Sequence, residues 1–219
     1  MQTAFRAENA LSRKHLCEFA MLEAELVAEN LDELVDLTED LLKRCWSEVR
    51  VLDEFKVLKA EAWKDDVDAS LEQSFLKLSY DDAVKELEGT VDHLAFGRSG
   101  SDYHRVMGGR NKITRIILGD QLHCIPGGQF ECPIKWGDDF KAEHEEFLVE
   151  TVSRGRPVVV SRFPADLKPF YMKKTARTAE CFDILVPMGG EIVGGSLRES
   201  DLQTLKAAIE LHNIDGLDW

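Results

Sequence analysis

Period-two alternation at the start of the chain constrains the fold more than any other feature. In "FRAENALSRKHLCEFAMLEAEL", residues 5–26, Phe5 and Ala7 point one way while Arg6 and Glu8 point the other. Further on, Glu18, Ala20, Leu22, Ala24 and Leu26 alternate with Phe19, Met21, Glu23 and Glu25. The pattern predicts two strands. Asn9 to Leu16 between them is polar and basic, with Arg13, Lys14 and His15, so the strands form an antiparallel pair joined by a cationic loop rather than a tight turn. One face then carries an arginine, acids and an aromatic ring. That face admits two readings, a solvated surface laced with salt bridges or a polar floor that holds a ligand.

Composition narrows the class of protein. With 219 residues, 44% hydrophobic and 31% charged, the chain has the make-up of a soluble globular domain with one sizeable core. A formal charge of -14, from 27 basic and 41 acidic residues, argues against a surface that grips nucleic acid everywhere but permits a local basic patch. No apolar run reaches the roughly 18 residues of a membrane span, and the first residues lack the order of a secretory signal, so no membrane partner is expected. Cys17, Cys45, Cys124, Cys132 and Cys181 stand at unrelated spacings, which predicts reduced thiols and a cytosolic or organellar interior.

Asn30, with Glu33 three residues on, predicts a capping box, and Leu31, Leu34, Val35, Leu41, Leu42, Cys45, Val49 and Leu52 follow at helical spacing over the sheet's apolar face. Residues 53–72 are charged and are expected to form a connector. "FLKLSYDDAVKELEG" predicts a short strand and then a helix from near Asp81. Residues 97–129 hold seven of the fifteen glycines and five Arg or Lys against two Asp, which predicts an insertion forming a flexible surface loop. It carries no phosphate-cradling pattern, and His123, Cys124 and Cys132 make no metal set. "DDFKAEHEEFLVE" predicts a polar helix, "RPVVVSRFP" a buried strand, "CFDILVP" and "EIVGGSLRE" two more strands, and Ser200 onward a last helix with Leu202, Leu205 and Ile209 on one face. Strands before, between and after helices indicate an α+β fold with a mostly antiparallel sheet flanked by helices.

A second group of charges lies late in the chain. Asp183 and Glu191 fall on neighbouring predicted strands, with Arg198 beyond and Gly194–Gly195 between. Two acids beside a glycine pair can hold a Mg²⁺-bound polyphosphate, because Mg²⁺ takes one or two carboxylates plus phosphate oxygens. They can equally form a turn with solvated charges.

Four blocks of this sequence resemble one family. "FRAEN…SRKHLCEF…LEAEL", "FECPIKWGDDFKAEHEEFL", "PVVVSRFPADLKPFYM" and "FDILVPMGGEIVGGSLRE" follow, in order from residue 5 to 199, the wording of class II aminoacyl-tRNA synthetases, and within them the asparaginyl enzymes. The first block is similar to the family's motif 2. The resemblance implies ATP and asparagine as substrates, Mg²⁺ as cofactor, tRNA as acceptor, and a homodimer. It implies Arg6 and Glu191 as catalytic, Arg6 spanning the α-phosphate and the amino-acid carboxylate. Glu8 would receive the adenine amino group, Lys14 and His15 the outer phosphates, and Phe19 would stack on adenine. Asp183 would assist Glu191 with the metal. Arg198 and Glu23 would read the side chain: a carboxamide offers one acceptor and one donor, which match a guanidinium and a carboxylate. An aspartate would set two like charges together, which favours asparagine.

The family's motif 1, its dimer-forming element, and its motif 3 have no counterpart here. The 219 residues are therefore expected to form a truncated catalytic core that neither activates asparagine nor binds tRNA tightly on its own. The alternatives are a non-catalytic synthetase-like binding or regulatory module and, ranked lower, an aspartyl-tRNA synthetase or an asparagine synthetase. The expected compartment is the cytoplasm, or else a mitochondrion or other organelle.

Overall fold

The computed structural model describes residues 1–7, 16–54, 61–89, 104–106, 115–118, 121–124, 130 and 132–212, with backbone alone at 61–64, at 89 and in the three strands between 104 and 124. An antiparallel pair forms as expected, β1 (Gln2–Phe5) with β2 (Glu18–Met21), Ala4 opposite Phe19 and Phe5 opposite Glu18, but β1 lies upstream of the alternation at Phe5–Glu8 and shares only Phe5 with it. Pairing ends earlier than the pattern predicts. The Arg6 N–H still donates to the Cys17 carbonyl at 3.0 Å, but Glu23 and Glu25 lie beyond β2, outside any strand.

Helix α1 (Leu31–Val49) begins at Asn30, whose side chain accepts from the Glu33 N–H at 3.0 Å. Glu33 reciprocates one residue earlier than expected, accepting from the Glu29 N–H at 2.9 Å. Only the first half of the predicted stripe is inside: Leu31 and Val35 are buried, Leu34 and Leu42 half-buried, while Leu41, Cys45, Val49 and Leu52 are exposed. The stretch expected to be a connector contains α2 (Glu61–Glu72). Its Asp68 accepts from the Trp46 indole N–H and pairs with Arg50, each at 2.8 Å, and its Leu71 packs against the cluster that contains Leu31 and Val35.

The central sheet has the order β3 (Leu76–Ser79), β7 (Val158–Ser161), β8 (Cys181–Val186), β9 (Gly190–Ser196). β3 and β7 run parallel, and the other two pairings are antiparallel, as an α+β fold with a mostly antiparallel sheet requires. Alternation gives the sheet two apolar faces. Val159, Phe182 and Ile184 pack with Leu31 and Val35 of α1. Val158, Val160, Cys181 and Leu185 pack on the other side with Tyr80, Ala83, Val84 and Leu87 of α3 (Tyr80–Gly89) and with Phe147 and Leu148.

Those last two belong to α4 (Ala142–Phe147) and the π-helical turn Leu148–Val152 that continues it. This element is not the polar helix its charges indicate, since His144, Phe147, Leu148 and Val149 are all buried. The His144 Nδ1 accepts from the Lys141 N–H at 3.0 Å while Nε2 lies 2.8 Å from the Cys132 carbonyl, which requires the Nε2–H tautomer. Within 97–129, β4 (His104–Val106), β5 (Arg115–Leu118) and β6 (Gln121–Cys124) make an antiparallel meander where a featureless loop is expected. α5 (Leu202–Leu211) is capped by Asp201, which accepts from the Thr204 N–H at 2.7 Å, and buries no residue fully. Cys17, Cys45, Cys132 and Cys181 are free thiols, while the Cys124 side chain lies outside the described set. No described helix is long and apolar enough to cross a membrane.

Arg162 leaves β7 with φ +60°, a left-handed conformation that disfavours a side chain with a Cβ. Its N–H donates to the Cys181 carbonyl at 2.8 Å, which holds the turn, while its exposed ion pair to Glu180 at 3.6 Å contributes little. Asn adopts this region more readily, so Arg162→Asn is expected to stabilise the fold by about 0.5–1 kcal/mol. A thermal melt checks it, and a lower midpoint in the variant contradicts the strain.

Candidate functional site

The strand register brings the late acids together. Asp183 lies opposite Gly194, and an irregularity between Ile184 and Leu185 sets Glu191 opposite Leu185, so Asp183, Gly194 and Glu191 share one face. A Cβ on Gly194 would sit 3.3 Å from Glu191 Oε1 and 3.5 Å from Asp183 Oδ1. The two carboxylates therefore meet over a backbone that has no side chain. Gly195 serves the opposite face, where a Cβ would lie 2.4 Å from Phe182 Cε1. Each glycine of the pair makes room for a different neighbour.

Lys168 completes this cluster, and sequence reasoning missed it. Its Nζ donates to Asp183 Oδ2 at 2.7 Å, with both side chains largely enclosed, and lies 3.9 Å from the centre of the Phe163 ring. It follows the short 3₁₀ turn Ala165–Leu167, where no periodicity marks a residue as inward-facing. The signal available was its place inside the "FPADLKPFYM" block.

The electrostatics follow from this crowding. Burial pushes the Glu191 carboxyl up to about 7, helped by the charge of Asp183 and, more weakly, Glu145, while Lys168 and Arg6 act the other way. The residue is nonetheless exposed, and solvent screens part of this effect. Burial also raises Asp183 despite Lys168. At Lys168 burial works to lower the ammonium, and the charge and hydrogen bond of Asp183 more than offset it, so the group is raised. Attraction outweighs burial at the ammonium but not at the more deeply placed carboxylate.

A carboxyl whose native pKa exceeds its unfolded value binds its proton more tightly in the fold. The Glu191 contribution therefore favours the fold below pH 4.5 and is lost as pH rises towards 7. Glu191→Gln is expected to raise the melting temperature at neutral pH and to flatten its decline between those values. Superimposable pH profiles for the two proteins would contradict the shift.

The early residues approach from the hairpin. The Arg6 guanidinium is near enough to Glu191 to stabilise its charge, and it lies 5.6 Å from the centre of the Phe19 ring. Glu8, Lys14 and His15 lie outside the described residues. Arg198 sits where the chain after β9 bridges to Met172, with its guanidinium 4.5 Å from the centre of the Tyr171 ring. Its partner is Glu25, at 2.8 Å, rather than Glu23, which instead accepts from the Gln2 amide. The guanidinium is raised, first by that bond to Glu25. Tyr171, Arg198, Glu199 and Leu205 line a cleft of about 450 Å³. Arg6 thus comes within electrostatic reach of Glu191, and Arg198 meets Glu25 of the same N-terminal segment rather than Glu23.

The donor set suits Mg²⁺. Two hard carboxylates converge over a glycine, and among the described residues no group of three or more His, Cys, Asp or Glu could hold a metal unaided, so further oxygens must come from a phosphate or water.

Comparison with known proteins gives a consistent result. The family model described as tRNA synthetases class II (D, K and N) matches residues 1–218. An asparagine–tRNA ligase of Bacteroides fragilis is 33% identical over 221 residues, covering 98% of this chain and 40% of the relative. Among solved structures, the asparaginyl-tRNA synthetase of Entamoeba histolytica in complex with asparaginyl-adenylate gives a TM-score of 0.65 at 25% identity, over 96% of this chain and 40% of that one. The Pyrococcus horikoshii enzyme complexed with asparaginyl-adenylate gives 0.64 at 26%, over 98% and 40%. The chain spans about 40% of the length of the curated relatives it matches.

Proposed function

Since the chain belongs to the class II tRNA synthetases of the D, K and N group, we propose that it provides the nucleotide and amino-acid site of an asparagine–tRNA ligase. One observation carries this reading: the N-terminal segment that brings Arg6 within electrostatic reach of Glu191 also carries Glu25, the partner of Arg198, which suits a charged end for a nucleotide and a donor–acceptor end for a carboxamide. Relatives solved with asparaginyl-adenylate, and similar over almost all of this chain, support it.

In the proposed reaction the asparagine carboxylate attacks the α-phosphorus of ATP, pyrophosphate leaves, and the asparaginyl group passes from the adenylate to the terminal ribose of its tRNA. No side-chain nucleophile is needed, so positioning and charge neutralisation carry the rate. Arg6 offsets charge where carboxylate and phosphate meet. Phe19 presents a ring for the base, and Glu8, Lys14 and His15 take the adenine and outer-phosphate contacts that the family resemblance assigns them. Asp183 and Glu191 would hold Mg²⁺, which supplies positive charge against the phosphate oxygens when bound. Arg198 takes the side-chain oxygen, and an acid of the 23–25 segment takes the amide N–H₂.

Calorimetric titration with a non-hydrolysable asparaginyl-adenylate mimic, alongside its aspartyl counterpart, tests this. The asparaginyl compound is expected to bind about tenfold or more tightly, because the aspartyl one sets a second carboxylate against the acid. Arg198→Ala should lose most of that preference. Equal binding of the mimic by wild type and Arg198→Ala would remove the side-chain assignment.

A further inference from the structure

Lys168 does not fit a simple carboxylate pair built to attract a cation. Its ammonium takes Asp183 Oδ2 at 2.7 Å, while Oδ1 faces Glu191 across Gly194. One oxygen of Asp183 is thereby held away from the shared seat and the other is aimed into it. The ion pair also cancels one of the two carboxylate charges, and the enclosure of both partners keeps Lys168 from swinging into water without leaving Asp183 bare. Arg6 adds a weaker cationic influence on Glu191, opposed by the acids Glu145 there and Asp139 at Asp183. A divalent ion reaching this seat alone meets two carboxylates, one of them already bound to Lys168, and among the described residues no group of three or more His, Cys, Asp or Glu to hold it. Mg²⁺ gives up its water reluctantly and favours sites where phosphate oxygens complete the shell.

We propose that Lys168 is a positioning residue that makes cation binding at the Asp183–Glu191 pair conditional on a bound nucleotide phosphate. It orients Asp183 and withholds the negative charge that would otherwise capture a metal from solution. This rests on the reading of Asp183 and Glu191 as metal ligands.

The test is titration of the full chain with Mn²⁺, followed by electron paramagnetic resonance, with and without a non-hydrolysable ATP analogue. Wild type is expected to bind Mn²⁺ only with the analogue. Lys168→Met is expected to bind it without the analogue, about tenfold or more tightly than wild type, since one cationic charge within several ångströms of a divalent ion is removed. Lys168→Arg should behave as wild type, and Lys168→Gln, which keeps a polar head, should follow Lys168→Met. Binding by Met and Gln variants at or below the wild-type level overturns the role of Lys168. Loss of folding in both, with the Arg variant intact, also overturns it and makes the pair purely structural. Absence of Mn²⁺ binding in every protein under both conditions instead sinks the metal seat, and the reading of Asp183 and Glu191 with it.

Discussion

A chain carrying Gly195→Ala is expected to melt about 3–10 °C below the parent. The added Cβ would lie 2.4 and 2.5 Å from Cε1 and Cζ of Phe182, well inside contact distance. Phe182 cannot step aside, because its side chain is 2% exposed and packs among Leu31, Val35 and Ile184. Overpacking of this kind costs about 1–3 kcal/mol, and in a chain of this size each kcal/mol shifts the midpoint by about 2–4 °C. Phe182→Leu removes the two ring atoms, so the double variant should be more stable than the sum of the single losses. A Gly195→Ala melt within a degree of the parent, or strict additivity in the cycle, would refute the contact. At Gly194 the neighbours are carboxylate oxygens at 3.3 and 3.5 Å, which can rotate, so Gly194→Ala should disturb the acid pair more than the fold.

Arg6→Ala should weaken binding of the asparaginyl-adenylate mimic by about a hundredfold or more. A guanidinium spanning the carboxyl and phosphoryl ends of one ligand makes two charge-assisted contacts, each worth about 1.5–3 kcal/mol. Arg6→Lys should recover little, because an ammonium cannot reproduce the planar fork. The hairpin should persist in both variants, since the local bond to Cys17 is made by the Arg6 backbone N–H. Wild-type affinity in Arg6→Ala, with the circular dichroism of the parent, would remove Arg6 from the ligand site.

The parts of this fold legible in the sequence are those where one period runs undisturbed. Val158 to Val160, Cys181 to Val186 and the Asn30 cap each carry their signal within a few adjacent residues. What stayed hidden depends on partners distant in sequence. The charges of 142–152 mark a solvated helix, yet His144 is buried because Lys141 and Cys132 supply backbone partners to both ring nitrogens. α2 is held to α1 by Asp68, through Trp46 and Arg50, and by Leu71 in the cluster of Leu31 and Val35, partners that lie well before it in the chain. At the site, Asp183 and Glu191 were legible as a pair beside Gly194, whereas Lys168 sits on an aperiodic turn. Arg198 was read against Glu23, but β2 stops at Met21, and without pairing the alternation no longer decides which acid reaches it.

The parallel partnership of β3 and β7 bears on the expected order of assembly. Leu76 lies opposite Val158, so the sheet's first strand finds its neighbour only after the chain between them, β4 to β6 included, has been brought round. β7, β8 and β9 have no such wait, being joined in sequence by antiparallel returns. They are expected to pair first, with β3 docking after them, an order that pulse-labelled hydrogen exchange during refolding would check. The entropy of closing a loop grows only slowly with its length, at about 0.6 kcal/mol per doubling. Lengthening or trimming the glycine-rich 97–129 segment should therefore alter the refolding rate while leaving the carboxylate pair where it is.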